Sequence, residues 1–235
     1  MNDIIIIYDN NECENKLKSD WGFSCFVNFK GKTILFDTGG NSLILLENME
    51  KLRLNPKKIN TIVLSHIHGD HTGGLHGILE INSNVTIYAL KSFPKDFKEE
   101  IKSHGSEIID VNTSIKICSC VYSTGELGFW VREQGLIIKT KKGLIIITGC
   151  AHPGILNIIK KSKEIFDNEI YLVLGGFHLI GKSELEIKNI INNFKRFNVE
   201  KVMPCHCSGN KARDLFKEEY KNNFTPCGVG KVIKI

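Results

Sequence analysis

The stretch Ser65-His66-Ile67-His68-Gly69-Asp70-His71 decides the fold, because it places three histidines and one aspartate within six residues. It directly follows the apolar run Thr61–Leu64, which is predicted to be a buried strand. A loop at a strand end can fold so that alternate side chains converge on one point. Imidazole and carboxylate donors together suit zinc, iron or manganese. The stretch therefore predicts a metal site formed by His66, His68, Asp70 and His71.

Three further histidines occur in a similar setting. His152, His178 and His206 each follow an apolar run and lie among glycines, in Thr148-Gly149-Cys150-Ala151-His152-Pro153-Gly154, Gly175-Gly176-Phe177-His178 and Pro204-Cys205-His206-Cys207-Ser208-Gly209. Glycine lets the backbone approach a site closely. One loop cannot supply the ligands of two metal ions, so these histidines are predicted to supply the others. His76 and His104 lack this context and are interpreted as ordinary surface residues.

Short apolar runs predict strands along most of the chain, many of them continuous enough to be covered on both faces. The predicted strands are Ile4–Tyr8, Ser24–Phe29, Lys32–Phe36, Thr61–Leu64, Val85–Ala89, Ile115–Cys118, Leu136–Thr140, Leu144–Thr148, Tyr171–Leu174 and Lys201–Met203. Helical periodicity alternates with them over Ser42–Leu54, Ile155–Phe166, Ser183–Phe197 and Lys211–Tyr220. The segments Gly31–Gly39 and Lys142–Gly149 resemble each other, each being a buried strand that leads into a Thr-Gly loop.

Composition narrows the function further. The chain has 235 residues, 42% of them hydrophobic, and no linker rich in proline, glycine or serine, so a single domain over residues 1–235 is expected. The net charge of +5 is spread along the chain, which favours a small anionic substrate over nucleic acid. No export leader or membrane span is recognisable, and a cytoplasmic protein is expected. Homo-oligomerisation is left open.

Eight cysteines are present, and none has Cys-x-x-Cys spacing. Neither a zinc ribbon nor a thioredoxin-like motif is therefore indicated. Cys150 and Cys207 lie beside candidate histidine ligands and are alternative soft ligands, ranked below the histidines because buried thiols are common.

These motifs together resemble the metallo-β-lactamase superfamily over nearly the whole chain. The resemblance starts at Gly22-Phe23-Ser24 and Leu35-Phe36-Asp37-Thr38-Gly39, continues through Leu64–Leu75, and ends in the three glycine-flanked histidine segments. The later segments are similar to a branch that includes 7,8-dihydropterin-6-methyl-4-(β-D-ribofuranosyl)aminobenzene 5′-phosphate synthases of methanopterin biosynthesis. The resemblance implies an α/β fold, an αββα sandwich of two mixed β-sheets flanked by helices.

The resemblance also implies a ligand set for two divalent metal ions, with zinc expected and iron or manganese as alternatives. His66, His68 and His152 would hold one ion, and Asp70, His71 and His206 the other. Asp37 would orient the ligand loop through hydrogen bonds. Many relatives carry a bridging aspartate at the fourth motif, where this chain has Leu174–His178 and no carboxylate. His178 is accordingly expected either to bind a metal or to face the substrate.

The function expected is a hydrolase in which a binuclear metal centre activates water against a small phosphorylated or ester substrate. Asp70 and His178 are the candidate catalytic residues. Candidate substrate contacts are Phe177, Ser208 and Lys211, with Trp21 and Phe23 as candidates for stacking on a flat ring. A synthase that forms a carbon–nitrogen bond is the first alternative. A diiron redox protein and a metal-binding module without catalysis are the alternatives of a different class.

Overall fold

A computed structural model describes residues 2–235 of the chain. The chain divides into two compact units. The first contains the described residues through Asn112 together with Gly228–Ile235, and the second is Thr113–Cys227. The first unit is thus discontinuous in sequence, and its last strand comes from the C-terminus. The prediction of a single domain over residues 1–235 stays a prediction.

The first unit contains a seven-stranded mixed sheet. Its strands are β1 (Asp3–Asp9), β2 (Phe23–Phe29), β3 (Lys32–Phe36), β4 (Thr61–Val63), β5 (Thr86–Leu90), β6 (Glu107–Val111) and β13 (Val232–Lys234), in the order β13-β1-β2-β3-β4-β5-β6. Pairing is antiparallel from β13 to β3 and parallel from β3 to β6. All seven residues of β1 are buried, as expected for its run of four isoleucines inside a sheet.

The described part of this unit has four α-helices: α1 (Ser42–Lys51), α2 (Gly69–Thr72), α3 (Leu75–Ile81) and α4 (Lys95–Ser103). The side chain of Asn41 caps α1 by accepting hydrogen bonds from the backbone N–H groups of Leu43 and Ile44. This helix ends three residues before the predicted end at Leu54, because Arg53 adopts a left-handed conformation with φ of 57°.

The second unit contains a six-stranded mixed sheet. Its strands are β7 (Ile115–Cys118), β8 (Val121–Ser123), β9 (Leu136–Thr140), β10 (Gly143–Thr148), β11 (Ile170–Gly176) and β12 (Val199–Cys205), in the order β12-β11-β10-β9-β8-β7. The pairs β10–β11 and β11–β12 are parallel and the others antiparallel.

Three α-helices complete this unit: α5 (Ile155–Ile165), α6 (Glu184–Arg196) and α7 (Asn210–Tyr220). The predicted capping box at the start of α6 is present, with Ser183 and Glu186 exchanging hydrogen bonds. Phe194 of α6 and Phe216 of α7 pack on Phe177, with ring centroids 5.1 to 5.6 Å apart. These aromatic rings form the centre of an apolar core under the end of β11.

The predicted class, two mixed β-sheets flanked by helices in an α/β fold, is confirmed. Each predicted strand and helix overlaps an observed one. The two similar segments correspond to β3 and β10, and each of these strands joins the antiparallel part of its sheet to the parallel part. The sequence prediction omitted β6, β8, β13, α2, α3 and α4. Among residues 2–235, no helix combines the length and the apolar character needed to cross a bilayer.

Candidate metal centre

Parallel pairing brings Asp37 to the ligand-rich loop in the first unit. Asp37 directly follows β3 and the loop Leu64–His68 directly follows β4, so both lie at the carboxyl ends of neighbouring strands. The backbone N–H of Asp37 donates to the carbonyl of Val63 at 2.9 Å. Asp37 has φ of 56°, a conformation that non-glycine residues adopt at a cost and that is concentrated at functional sites.

The carboxylate of Asp37 is fully buried and accepts three hydrogen bonds. The donors are the backbone N–H of Ser65 at 2.6 Å, the hydroxyl of Ser65 at 2.7 Å and Nδ1 of His71 at 2.7 Å. A carboxylate in contact with Nδ1 places the proton of His71 there, so Nε2 carries the lone pair that can bind a metal. Nε2 lies 3.6 Å from Oδ2 of Asp70, a second candidate ligand atom.

Ser65 extends this hydrogen-bonded chain to His66. Its hydroxyl hydrogen is used on Asp37, so the 2.8 Å contact with His66 is best made by the Nδ1–H of that histidine. Nε2 of His66 therefore also carries a lone pair, and it lies 3.2 Å from Nδ1 of His68. Two nitrogens bound tetrahedrally to one zinc at its usual bond length are about 3.3 Å apart. This pair has the separation expected of two ligands of one ion.

The helix that carries Asp70 and His71 packs backbone to backbone against the loop after β3. The carbonyl of His71 accepts hydrogen bonds from the backbone N–H and the hydroxyl of Thr38, at 2.7 and 2.9 Å. A Cβ at Gly74 would lie 2.1 Å from the carbonyl oxygen of Thr38, closer than any side chain tolerates. The glycines after the ligand run are therefore required by this close approach.

In the second unit, Cys150, His152 and His178 converge at the carboxyl ends of β10 and β11. One ligand atom from each lies within 4.8 Å of the others, and the rings of His152 and His178 are 4.5 Å apart. His178 is exposed and has φ of 54°. The structure therefore groups His178 with a proposed metal ligand and with one of the two cysteines considered as alternative ligands.

His206 follows β12, is buried and has φ of 46°. The next residue, Cys207, is hydrogen-bonded to His178. That hydrogen bond raises the pKa of His178. Burial raises the pKa of the Cys207 thiol, but hydrogen bonds with Cys150 and His178 outweigh burial and hold it well below its usual range.

Glu133 is a functional candidate that the sequence interpretation missed. Its fully buried carboxylate accepts hydrogen bonds from four consecutive backbone N–H groups. Oε1 accepts from Gly149, Cys150 and Ala151 at 2.8 to 3.1 Å, and Oε2 accepts from His152 at 2.8 Å. Glu133 thus determines the shape of the loop that presents His152. The surrounding Val131-Arg132-Glu133-Gln134 carries no pattern that marks this glutamate as buried.

Two of the candidate substrate contacts, Phe177 and Ser208, are buried and support the loop that carries His178. Phe177 is buried against Phe194 and Phe216, and the buried Ser208 accepts a hydrogen bond from the backbone N–H of Phe177 at 3.0 Å. Lys211 is exposed on α7. The roles of these residues toward a substrate stay predictions.

The two aromatic residues considered for stacking differ in exposure. Trp21 is about half exposed, whereas Phe23 is buried in edge contact with Phe36. Trp21 is the better placed of the two to meet a flat ring.

The donor set fits a divalent metal centre of the zinc class. Histidine nitrogens dominate it, one carboxylate accompanies them, and hydrogen bonds leave the coordinating atoms of His66 and His71 unprotonated. Hydrogen bonds to Asp37 hold the candidate ligands of the first unit in position, and hydrogen bonds to Glu133 hold the loop that carries His152 in the second unit.

Comparisons with known proteins agree with this chemistry. Residues 22–157 match the model of a family described as the metallo-beta-lactamase superfamily. The 7,8-dihydropterin-6-methyl-4-(beta-D-ribofuranosyl)-aminobenzene-5′-phosphate synthase of Methanocaldococcus jannaschii is 36% identical over 248 aligned residues, covering 86% of this chain and 84% of that protein.

Two further similarities differ in extent. The crystal structure of a metal-dependent hydrolase of the beta-lactamase superfamily aligns with a TM-score of 0.85 and 29% identity, over 100% of this chain and 99% of its own. A ribonuclease Z of Nanoarchaeum equitans is 44% identical, but over only 40% of this chain and 30% of that protein.

Proposed function

The chain belongs to the metallo-β-lactamase superfamily, and on this premise we propose that it is a metal-dependent hydrolase with a binuclear centre acting on a small phosphorylated or ester substrate. The observation that carries the proposal is the buried chain from Asp37 through Ser65 to His66, with His71 on the same carboxylate. A buried carboxylate that sets the protonation of two histidines is typical of a metal site.

We propose the ligand sets that the family resemblance implies. His66, His68 and His152 would hold one ion, and Asp70, His71 and His206 the other, with zinc as the expected metal and iron or manganese as alternatives. His178 is either an additional ligand or a substrate-facing residue, and Cys150 is the alternative soft ligand beside it.

When bound, two divalent cations would supply an activated water at neutral pH and electrostatic stabilisation of the negative charge that develops on the substrate. The chain's own residues would do the rest. Asp70 would accept the proton released from the attacking water. His178, whose pKa is raised by Cys207, would donate a hydrogen bond or a proton to an anionic oxygen of the substrate. Asp37 and Glu133 would hold the ligand loops in position.

The proposed location is the cytoplasm, since all eight cysteines are free thiols, as is usual in a reducing compartment. The dispersed positive charge favours a small anionic substrate. The ribonuclease Z of Nanoarchaeum equitans is similar over 40% of this chain and 30% of its own length, so nucleic acid is not the substrate we propose.

The experiment that tests the hydrolase combines metal content with turnover. Protein purified without added metal is analysed by mass spectrometry for zinc, iron and manganese, and the same sample is assayed on bis-p-nitrophenyl phosphate. We expect at least about two ions per chain, turnover that a chelator abolishes and added metal restores, and a loss of turnover of roughly 100-fold or more in His66→Ala and His206→Ala.

The matched control is Glu99→Gln, an exposed position on α4 outside the ligand set, which should keep full turnover. Full metal content and full turnover in both histidine variants would refute the proposal. Absence of turnover in the metal-loaded wild type would favour a metal-binding module.

A second candidate function is a synthase that forms a carbon–nitrogen bond, as the name of the Methanocaldococcus jannaschii relative implies for that protein. It is favoured by similarity over 86% of this chain. The same residues would then hold metal ions that bind the pyrophosphate oxygens of a dihydropterin-methyl pyrophosphate. An arylamine nitrogen would attack the methylene carbon and lose a proton, while the carbon–oxygen bond breaks and pyrophosphate leaves. Incubation with a dihydropterin-methyl pyrophosphate and an arylamine ribofuranosyl phosphate, followed by mass spectrometry of the coupled product, separates the two functions.

A further inference from the structure

Two histidines outside the candidate metal centre meet on the surface of the first unit. His76 lies on α3 and His104 directly follows α4. Nδ1 of His76 is 3.3 Å from Nε2 of His104, and their ring centroids are 5.0 Å apart. Glu100 lies one helical turn before His104, and one ligand atom from each of the three residues lies within 4.8 Å of the others.

The distance between the two nitrogens fits two ligands of one metal ion and lies at the long end of the range for a hydrogen bond. Hydrogen bonds from N–H groups have donor–acceptor distances near 2.9 Å, whereas two nitrogens on one tetrahedral zinc are about 3.3 Å apart. The separation of His76 and His104 also resembles the 3.2 Å between the coordinating nitrogens of His66 and His68.

Glu80 favours the tautomer of His76 that can bind a metal through Nδ1. Its carboxylate oxygen lies 3.1 Å from Nε2 of His76, four residues earlier on the same helix. Nε2–H would donate to Glu80, which leaves the lone pair on Nδ1, the nitrogen that faces His104. A carboxylate on the outer nitrogen of a metal-binding histidine is a common arrangement that fixes the tautomer and strengthens the ligand.

The surroundings leave room for a cation and its water ligands. The cluster borders a pocket of about 250 Å³ that is also lined by Phe97 and Ile101 of α4 and by Thr72 and Gly73. Thr72 ends α2, the helix that carries Asp70 and His71, so the cluster adjoins the end of the ligand-bearing helix. The side chain of His76 is 58% exposed, which gives the cluster direct access to solvent.

We propose that His76, Glu100 and His104 form a peripheral site for a divalent cation of the zinc class, which joins α3 to α4. Two imidazoles and one carboxylate are a donor set that selects zinc and its neighbours over calcium or magnesium. Three protein ligands leave a coordination position for water or for an outside ligand. Because α3 begins three residues after the end of α2, the bound cation stabilises this edge of the first unit.

The test counts zinc per chain after equilibrium dialysis at a fixed, buffered free-zinc concentration. We expect the wild type to hold one zinc more than His76→Ala and His104→Ala. Glu80→Gln should require roughly tenfold to hundredfold more free zinc to fill the site, since it removes the orienting carboxylate. Glu99→Gln, which alters the neighbouring exposed carboxylate on the same helix, is the matched control and should match the wild type.

A second measurement follows the thermal midpoint during a zinc titration. The wild type should gain more from zinc than His104→Gln, a variant that keeps the size and polarity of the side chain. Equal zinc content and equal thermal shifts in wild type and His104 variants would overturn the proposal, as would equal loss in Glu99→Gln. These readouts need no turnover, so they are independent of the proposed hydrolase.

Discussion

Asp37 sets the protonation of two candidate metal ligands, His66 and His71. The carboxylate of Asp37 accepts a hydrogen bond from His71 directly, and the hydroxyl of Ser65 links it to His66. Both histidines are thereby held as tautomers with the metal-facing nitrogen unprotonated. The cost is a buried charge at a left-handed residue, which is compensated by its three donors.

Replacement Asp37→Asn should weaken metal binding by about tenfold to a hundredfold, because an amide has one oxygen and cannot accept all three hydrogen bonds. Its NH2 group would face either the backbone N–H of Ser65 or the two donors from His71 and the Ser65 hydroxyl. Competition with a chromophoric chelator measures the affinity, and circular dichroism verifies folding. Asp167→Asn, an exposed aspartate in the second unit, is the control. Equal affinities of the two variants would show that Asp37 does not orient the ligands.

At the scale of elements, both units position their candidate ligands in the same way. The candidate ligands follow strands at the carboxyl ends of a parallel set, β3 and β4 in one sheet and β10 to β12 in the other. These loops are short and strained, with positive φ at Asp37, Ala151, His178 and His206. Non-glycine residues in this conformation persist only where hydrogen bonds and packing over-determine the backbone.

Glu133 provides that support for the loop Gly149–His152. Glu133→Gln would place an amide donor against the N–H of His152, and one hydrogen bond would become a repulsive contact. We expect a loss of roughly 1–3 kcal/mol in the free energy of unfolding and weaker binding of metal. Urea unfolding measures the first and chelator competition the second.

Glu164→Gln, on the exposed face of α5, is the matched control for this substitution. A Glu133→Gln protein that unfolds at the same urea concentration as this control would contradict a supporting role for the buried carboxylate.

At the scale of the whole molecule, the chain returns to its first unit after building the second. Residues 228–235 add β13 to the edge of the sheet beside β1. Gly230 and Lys231 further exchange backbone hydrogen bonds with Ile6. The strand with four consecutive isoleucines is thus paired along one edge by residues 228–235.

Truncation after Cys227 should therefore expose the edge of β1 to solvent. We expect the thermal midpoint to fall by roughly 5 °C or more, and the truncated protein to associate through the uncovered strand. Circular dichroism melts and size-exclusion chromatography measure both effects. Val232→Thr, which keeps the backbone pairing and alters only a half-exposed side chain, should behave as the full chain. A truncated protein that melts with the full chain would show that β13 contributes little.

The sequence by itself determined the class of the fold, most of the strands and the chemistry of the donors. Long apolar runs indicate buried strands from the local sequence alone. Imidazole and carboxylate donors favour particular metals because of their chemistry, wherever they lie in the fold. Edge strands such as β6 and β13 escaped prediction because each is stabilised by pairing with a distant segment.

Only the tertiary structure decided which side chains meet. Asp37 and His71 are 34 residues apart, and His76 and His104 are 28 apart, yet each pair is in contact. Glu133 reaches four amides of a loop more than a dozen residues away. No local pattern encodes these contacts, because they arise from the order of strands in a sheet and from the packing of helices beside it.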